Sequence, residues 1–160
     1  MSGLNWAWGL SLIALTIAIH ATGAVMMAVV VLRIKVRVIR AEMIRNLGFW
    51  RVIPIVIGGI GAVGLLLAVL HGIEAAIWAA AYVWLDALAS PHDAILYSLD
   101  SMTTRGASGL VLEPHWQIMG ALEAANGMLL FGISTAYIFA VMSEWWPVLS
   151  DQLTLAPDVA

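Results

Sequence analysis

The residues with the most chemistry to offer lie in one short stretch, Tyr97-Ser98-Leu99-Asp100-Ser101-Met102-Thr103-Thr104-Arg105-Gly106-Ala107-Ser108-Gly109. A short helix over 93–104 ends in two threonines, and a loop of small residues over 105–109 follows. Gly106, Ala107, Ser108 and Gly109 allow backbone conformations that bulky side chains resist. Irregular backbone at membrane depth is tolerated only when it is buried in protein or lines a water-filled cavity. A loop of this kind can offer a row of carbonyl oxygens to an ion, so coordination by backbone is the chemistry this stretch suggests.

The charges around the loop need partners. Asp100 and Arg105 stand five apart, and a pair between them neutralises both. An uncompensated charge buried there costs several kcal/mol. Glu123, inside an apolar stretch, is the other candidate partner for Arg105. Two readings of Arg105 stay open: a buried clamp on Asp100, or a side chain lining a pore, where it would repel cations and suit anions. Glu123 itself is a functional candidate by default, as an acid within a membrane helix. Pairing or hydrogen bonding to the loop is its expected role. His71 and Glu74, three apart, share a helix face and can hydrogen-bond to each other. His20 reads as a satisfied packing histidine. Glu74, Asp86, Asp93, Asp100 and Glu113 give one half of the chain an acidic character. Such charge either draws cations to a mouth or is ordinary solvated loop charge.

The elements that position these groups follow from composition. The 160 residues are 62 % hydrophobic and 11 % charged, against about 45–50 % and about 25 % in soluble domains. A domain this small buries only about two-thirds of its chain surface, so a soluble monomer would expose large apolar patches. The chain is expected in lipid, as an all-α integral membrane protein. Three apolar stretches, about Leu4–Leu32, Val52–Leu88 and Trp116–Met142, each supply the roughly 20 residues that cross a bilayer. The segment 93–104 is too short to cross and reads as re-entrant. The organisation expected is a transmembrane helix over 1–32, a basic cytoplasmic linker over 33–50 and a module over 51–142. Within that module lie a helix 51–88, a short helix 93–104, a loop 105–109 and a helix 116–142, which the resemblance described below makes the outer helix, pore helix, filter-like loop and inner helix of a channel-like pore module. A cytoplasmic tail covers 143–160.

Arg33, Lys35, Arg37, Arg40, Arg45 and Arg51 fall between the first two spans, and Arg105 alone lies elsewhere. The positive-inside rule makes that connection cytoplasmic. The expected location is the inner or plasma membrane, with the N-terminus outside and the C-terminus in the cytoplasm. Trp6, Trp8, Trp50, Trp116, Trp145 and Trp146 sit near span ends, as an aromatic belt would. Trp78 and Trp84 suggest that the second span reaches the outer interface. Gly58, Gly59, Gly61 and Gly64 form a small-residue face suited to close helix packing. Pro54 is placed in the first turn of its helix, where the missing N–H matters little. The chain has no cysteine, hence no thiolate metal site. It shows no Walker loop, no His-Glu-x-x-His and no nucleophile elbow. Neither an enzyme activity, a cofactor nor a nucleic-acid partner is expected.

The order outer helix, short helix, loop, inner helix resembles the two-helix pore module of the potassium channel superfamily. The filter signature of that family is Thr-Thr-x-Gly-Tyr-Gly-Asp, and Thr103, Thr104 and Gly106 match it. Ala107 stands in place of Tyr, Ser108 in place of the second Gly, Gly109 in place of Asp, and Arg105 in place of Val or Ile. His71-Gly72-Ile73-Glu74-Ala75-Ala76-Ile77-Trp78-Ala79 is similar to the outer-helix motif of a bacterial branch. Leu122-Glu123-Ala124-Ala125-Asn126-Gly127 and the residues to Ala136 are similar to its inner helix. The resemblance implies a homotetramer, because one loop supplies a quarter of a filter. It implies passive conduction of monovalent cations, K+ and with a degenerate filter Na+ also. Thr103 to Ser108 would line the narrow part, the Thr104 hydroxyl at its inner end, with Asp100, Glu123 and Glu74 as filter support. Ala107 cannot pack behind the loop as Tyr does, and Ser108 tolerates a left-handed backbone less well than Gly. Gly127 and Gly132 are candidate hinges, with close packing as the alternative. His92 and His115 flank the outer loop, where four copies could chelate a metal or sense pH. No metal site is assigned. The alternative is a non-conducting channel-like subunit or scaffold that binds a partner or lipid, or an anion-permeable pore if Arg105 lines it.

Overall fold

A computed structural model describes residues 2–45, 49–106 and 108–154. Among them the chain is helical, with no strand. Helix α1 spans Ser2–Arg45, α2 spans Phe49–Trp84, α3 spans Pro91–Met102 and α4 spans Gln117–Thr154, entered through a 3-10 turn over Pro114–Trp116. Three segments, Gly3–Arg40, Val52–Trp84 and Pro114–Pro147, are long and apolar enough to cross a membrane. The expectations for Asn46–Gly48, Ala107 and residues 155–160 concern positions outside the described residues, as do those for the side chains of Trp50, Arg45 and Arg51.

Several boundaries differ from expectation. The basic segment after residue 32 is not a separate linker: α1 continues through it to Arg45. The segment contains neither Gly nor Pro, and its Arg, Lys, Ile, Val and Ala are all compatible with a helix. Helix α2 stops at Trp84 rather than Leu88. Asp86 adopts a left-handed φ of 53°, its N–H donates to the Val83 carbonyl at 3.2 Å, and the Ala87 N–H donates to the Tyr82 carbonyl at 2.8 Å. This pair of bonds is a Schellman cap with Asp in the position usually held by Gly. Because α2 begins at Phe49, Pro54 lies inside the helix rather than in its first turn. Helix α4 runs past Met142, through Pro147, to Thr154, so much of the expected tail is helix.

The chain forms two compact units, Met1–Thr22 with Ala68–Ile133, and Gly23–Leu67 with Ser134–Ala160. In the first, Leu12, Ala75, Trp78, Ala79, Tyr82, Ala94, Met102, Trp116, Met119 and Leu130 belong to one apolar core. Each helix buries residues at helical spacing. On α2 these are Ala75, Trp78, Ala79 and Tyr82, and on α4 they are Met119, Glu123, Asn126 and Leu130. Helix α3 starts cleanly, with Ser90 accepting a hydrogen bond from the Asp93 N–H and Pro91 in the first turn, where its fixed φ suits a helix start. Trp78 and Trp116 are buried in this core rather than placed in a belt, whereas Trp6 and Trp84 are exposed.

In the second unit, Met27, Val31 and Val38 of α1, Val52, Val56, Val63 and Leu67 of α2, and Val141 and Trp145 of α4 are buried. Lys35 and Glu144 pair at 2.7 Å. An apolar cavity of about 230 Å³ lies among Met27, Val31, Gly59, Val63, Val141 and Trp145. Among the described residues, the expected close packing at Gly58, Gly59, Gly61 and Gly64 is not made. A Cβ added at any of the four meets nothing within 4 Å.

Candidate functional site

The loop is organised by the helix before it. Asp100, one of the buried residues of α3, faces the loop with both carboxylate oxygens. Oδ1 accepts from Arg105 Nε at 2.7 Å, and Oδ2 accepts from the Ser108 N–H at 2.8 Å. The Asp100 carbonyl also accepts from the Arg105 N–H at 3.0 Å. One residue therefore fastens the loop near both its ends. The Asp100–Arg105 clamp is present, but it is not buried throughout: the Asp100 side chain is 4 % exposed and that of Arg105 is 61 % exposed. The long guanidinium side chain reaches back from the surface. Glu123 is not its partner.

The backbone takes unusual conformations here. Thr104 has φ 54°, Gly106 φ 60° and Gly109 φ 70°. Glycine accepts a left-handed φ without penalty. A β-branched threonine does not, and such outliers cost about 1–3 kcal/mol and concentrate at functional sites. The Thr103 and Thr104 N–H groups close the end of α3 onto the Leu99 and Ser101 carbonyls at 3.1 and 2.9 Å. Among the described residues, no backbone N–H donates to the carbonyls of Thr104, Arg105 and Gly106. Thr103, Thr104, Arg105, Gly106 and Gly109 are exposed. Ala107 lies outside the described residues.

Behind the loop, Glu123 of α4 is fully buried. Tyr82 of α2 donates its hydroxyl to Glu123 Oε2 at 2.7 Å, and the Ser98 hydroxyl of α3 bonds to Oε1. The same Ser98 oxygen lies 2.8 Å from the Ala75 carbonyl. Glu123 thus joins three helices and supports α3 from behind. Ser101 donates to the Gly120 carbonyl at 3.1 Å. Tyr97 packs edge-on against Tyr82 at 5.4 Å. Burial pushes the Tyr97 phenol up from its ordinary pKa, and the Glu123 and Asp100 charges add to the shift. Helix α4 approaches α3 through small residues. A Cβ at Gly127 would strike the Met102 backbone, and one at Gly120 would strike the Tyr97 hydroxyl. Gly127 is therefore a packing position. Gly132 has open space around it.

Among the described residues, Glu74 pairs with histidines rather than with the loop. It is fully buried between histidines, 2.9 Å from His20 Nδ1 and 3.2 Å from His71 Nδ1. Burial of Glu74 and Asp100 also removes two of the five acids expected on an outer surface. Asp86 and Glu113 are exposed, and Asp93 is half-buried. His92 and His115 are exposed. His92 lies near Asp93, and His115 packs its ring against Trp116. The roles of Tyr82, Ser98 and Tyr97 were not legible in sequence, because nothing in spacing along the chain pairs Tyr82 with Glu123. The α1–α4 bond from Asn126 Nδ2 to Thr16 Oγ1, 2.9 Å, lacks such a signal too.

No protein-family model, no curated protein and no solved structure matches the chain. The class it defines is that of an all-helical protein with three helices long and apolar enough to cross a membrane. A fourth, 12-residue helix is tied through a strained loop to the last of the three.

Proposed function

We propose that this chain is one subunit of a homotetrameric membrane pore that passively conducts monovalent cations. The observation that carries this reading is the loop after α3. Thr104 and Gly106 are left-handed, the buried Asp100 fastens the loop near both ends, and the intervening carbonyls of Thr104, Arg105 and Gly106 accept no backbone N–H among the described residues. Carbonyls at membrane depth need a partner. Rings of such groups replace an ion's hydration shell in potassium filters. The resemblance of the Thr103-to-Gly109 segment to that family points the same way. Permeation of both K+ and Na+ fits a filter that lacks the family's Tyr and second Gly.

A second reading rests on Arg105, whose side chain is 61 % exposed. If four arginines face the axis, the pore passes anions, or the assembly is a non-conducting scaffold that binds a partner or lipid. The deciding experiment has two parts. The mass of the complex extracted with native lipid is expected to be that of a tetramer. Liposomes carrying the protein are expected to pass K+ and Na+. A monomer or dimer removes the four-fold filter and leaves the scaffold. A tetramer that passes chloride in preference to cations establishes the arginine ring.

A further inference from the structure

One group of titratable side chains lies apart from the loop and has no role in conduction as proposed. His20 of α1 and His71 and Glu74 of α2 each offer one ligand atom, and these atoms lie within 4.8 Å of one another. The carboxylate sits between the two imidazoles, with Oε1 2.9 Å from His20 Nδ1 and Oε2 3.2 Å from His71 Nδ1. The two rings stand 5.2 Å apart. His20 and Glu74 are fully buried, and the His71 side chain is 27 % exposed. The buried Glu74 Oε2 faces His71 Nδ1 at 3.2 Å but makes no hydrogen bond. A buried carboxylate oxygen that lacks a hydrogen bond is stabilised when a cation meets it.

Two imidazoles and one carboxylate form the donor set of a three-ligand zinc site that keeps a fourth position for water. Zinc bonds of about 2.0–2.2 Å in tetrahedral geometry place ligand atoms about 3.3–3.5 Å apart. Both histidine–carboxylate separations are within about half an ångström of that spacing. A divalent ion would take the unsatisfied Oε2 and neutralise the buried charge. Mixed imidazole and carboxylate ligands suit zinc and its neighbours among the transition metals rather than Mg2+ or Ca2+. His71 lines a cavity of about 380 Å³ together with Met102, Thr103, Thr104, Gly127 and Phe131.

We propose that His20, His71 and Glu74 bind one divalent transition-metal ion per chain, of the Zn2+ class, with water as the fourth ligand. The site does not depend on conduction, so its test is a binding measurement. The full chain, purified in detergent without a histidine tag and stripped with chelator, is titrated with Co2+. Tetrahedral Co2+ gives strong visible absorption, which the hydrated ion lacks. The wild type is expected to take up about one equivalent with that absorption, and Zn2+ to displace it. His71→Ala, at the edge of the site, and Glu74→Gln are each expected to weaken binding at least tenfold and abolish the band. His92→Ala and His115→Ala should change neither. Circular dichroism of each variant checks that the helices persist. If His71→Ala or Glu74→Gln unfolds the chain, the wild-type stoichiometry and band decide. Absence of saturable binding and of the band in wild type overturns the proposal and leaves a His–Glu–His group joined by the His20–Glu74 hydrogen bond. Binding that survives His71→Ala and Glu74→Gln, or that is lost with His92 or His115, overturns it equally.

Discussion

Asp100 accepts from Arg105 Nε and the Ser108 N–H on its side chain, and from the Arg105 N–H on its carbonyl. The two side-chain bonds respond differently to substitution. In Asp100→Asn one acceptor oxygen becomes an NH2 group facing a donor, either Arg105 Nε or the Ser108 N–H. Leaving a buried donor unsatisfied costs about 1–3 kcal/mol. Asp100→Asn is therefore expected to lower the melting temperature of the solubilised protein and to reduce any ion flux. Arg105→Val removes an exposed side chain and leaves the Ser108 N–H bond in place, so its thermal shift should be smaller. Equal shifts for the two would mean that the ion pair, not the loop staple, holds the segment. Glu123 allows a parallel comparison. Glu123→Gln keeps an acceptor for either Tyr82 or Ser98, whereas Glu123→Leu leaves both hydroxyls without their carboxylate. The leucine variant is expected to lose about 1–3 kcal/mol more than the glutamine variant, readable in the same melts. Asp100 and Glu123 were legible in the sequence because an acid in an apolar stretch must have a reason to be there. Their partners were not. The residues that meet Glu123 come from helices 25 and 41 positions away, and period and composition say nothing about which faces meet.

At the scale of elements, the short helix depends on how closely α4 can approach it. Gly120, Glu123 and Gly127 recur at helical spacing on the face of α4 that meets α3. A side chain at Gly127 has no room, since its Cβ would lie 2.6 Å from the Met102 Cα. Gly127→Val is expected to abolish the folded, assembled protein, seen as loss of the main peak in size-exclusion chromatography. Gly132, with nothing within 4 Å of an added Cβ, behaves oppositely. Gly132→Ala should raise stability by about 0.5–1 kcal/mol through lower backbone entropy. If both glycines were hinges, both substitutions would instead leave assembly intact and alter conduction. The sequence contained the four helices and their order, because apolar length and turn residues are local signals. It misplaced the ends of α1 and α2. Charged residues do not end a helix that has no Gly or Pro, and a left-handed Asp86 ends one without either. The strain at Thr104 was equally hidden, since threonine ordinarily avoids that conformation.

For the molecule as a whole, the distribution of basic residues predicts an orientation, and every proposal about the loop inherits it. Six of the seven Lys and Arg residues stand between positions 33 and 51, which the positive-inside rule places in the cytoplasm. On that prediction, three spans would put the N-terminus and the loop after α3 outside, with the C-terminal end of α4 inside. The absence of cysteine makes this directly testable, because a single introduced thiol reports without background. Gly3→Cys, at an exposed position with nothing within 4 Å of its Cβ, is expected to react with a membrane-impermeant maleimide on intact spheroplasts. Ser143→Cys, also exposed, should react only after the membrane is opened. Gly109→Cys would be ambiguous, since a left-handed φ of 70° opposes any side chain there, so Glu113→Cys is the better reporter of the loop side and should label with Gly3→Cys. The reverse pattern, with Ser143→Cys labelled on intact cells, would turn the loop toward the cytoplasm. Asp86 and Glu113 would then lie on the cytoplasmic side, and cation entry from outside would meet the basic 33–51 segment first. Labelling of Gly3→Cys and Ser143→Cys on the same side would go further, because an odd number of crossings separates the termini. One of the three apolar helices would then not span the bilayer, and a pore built on α2, α3 and α4 would require α1 to be the one that does not.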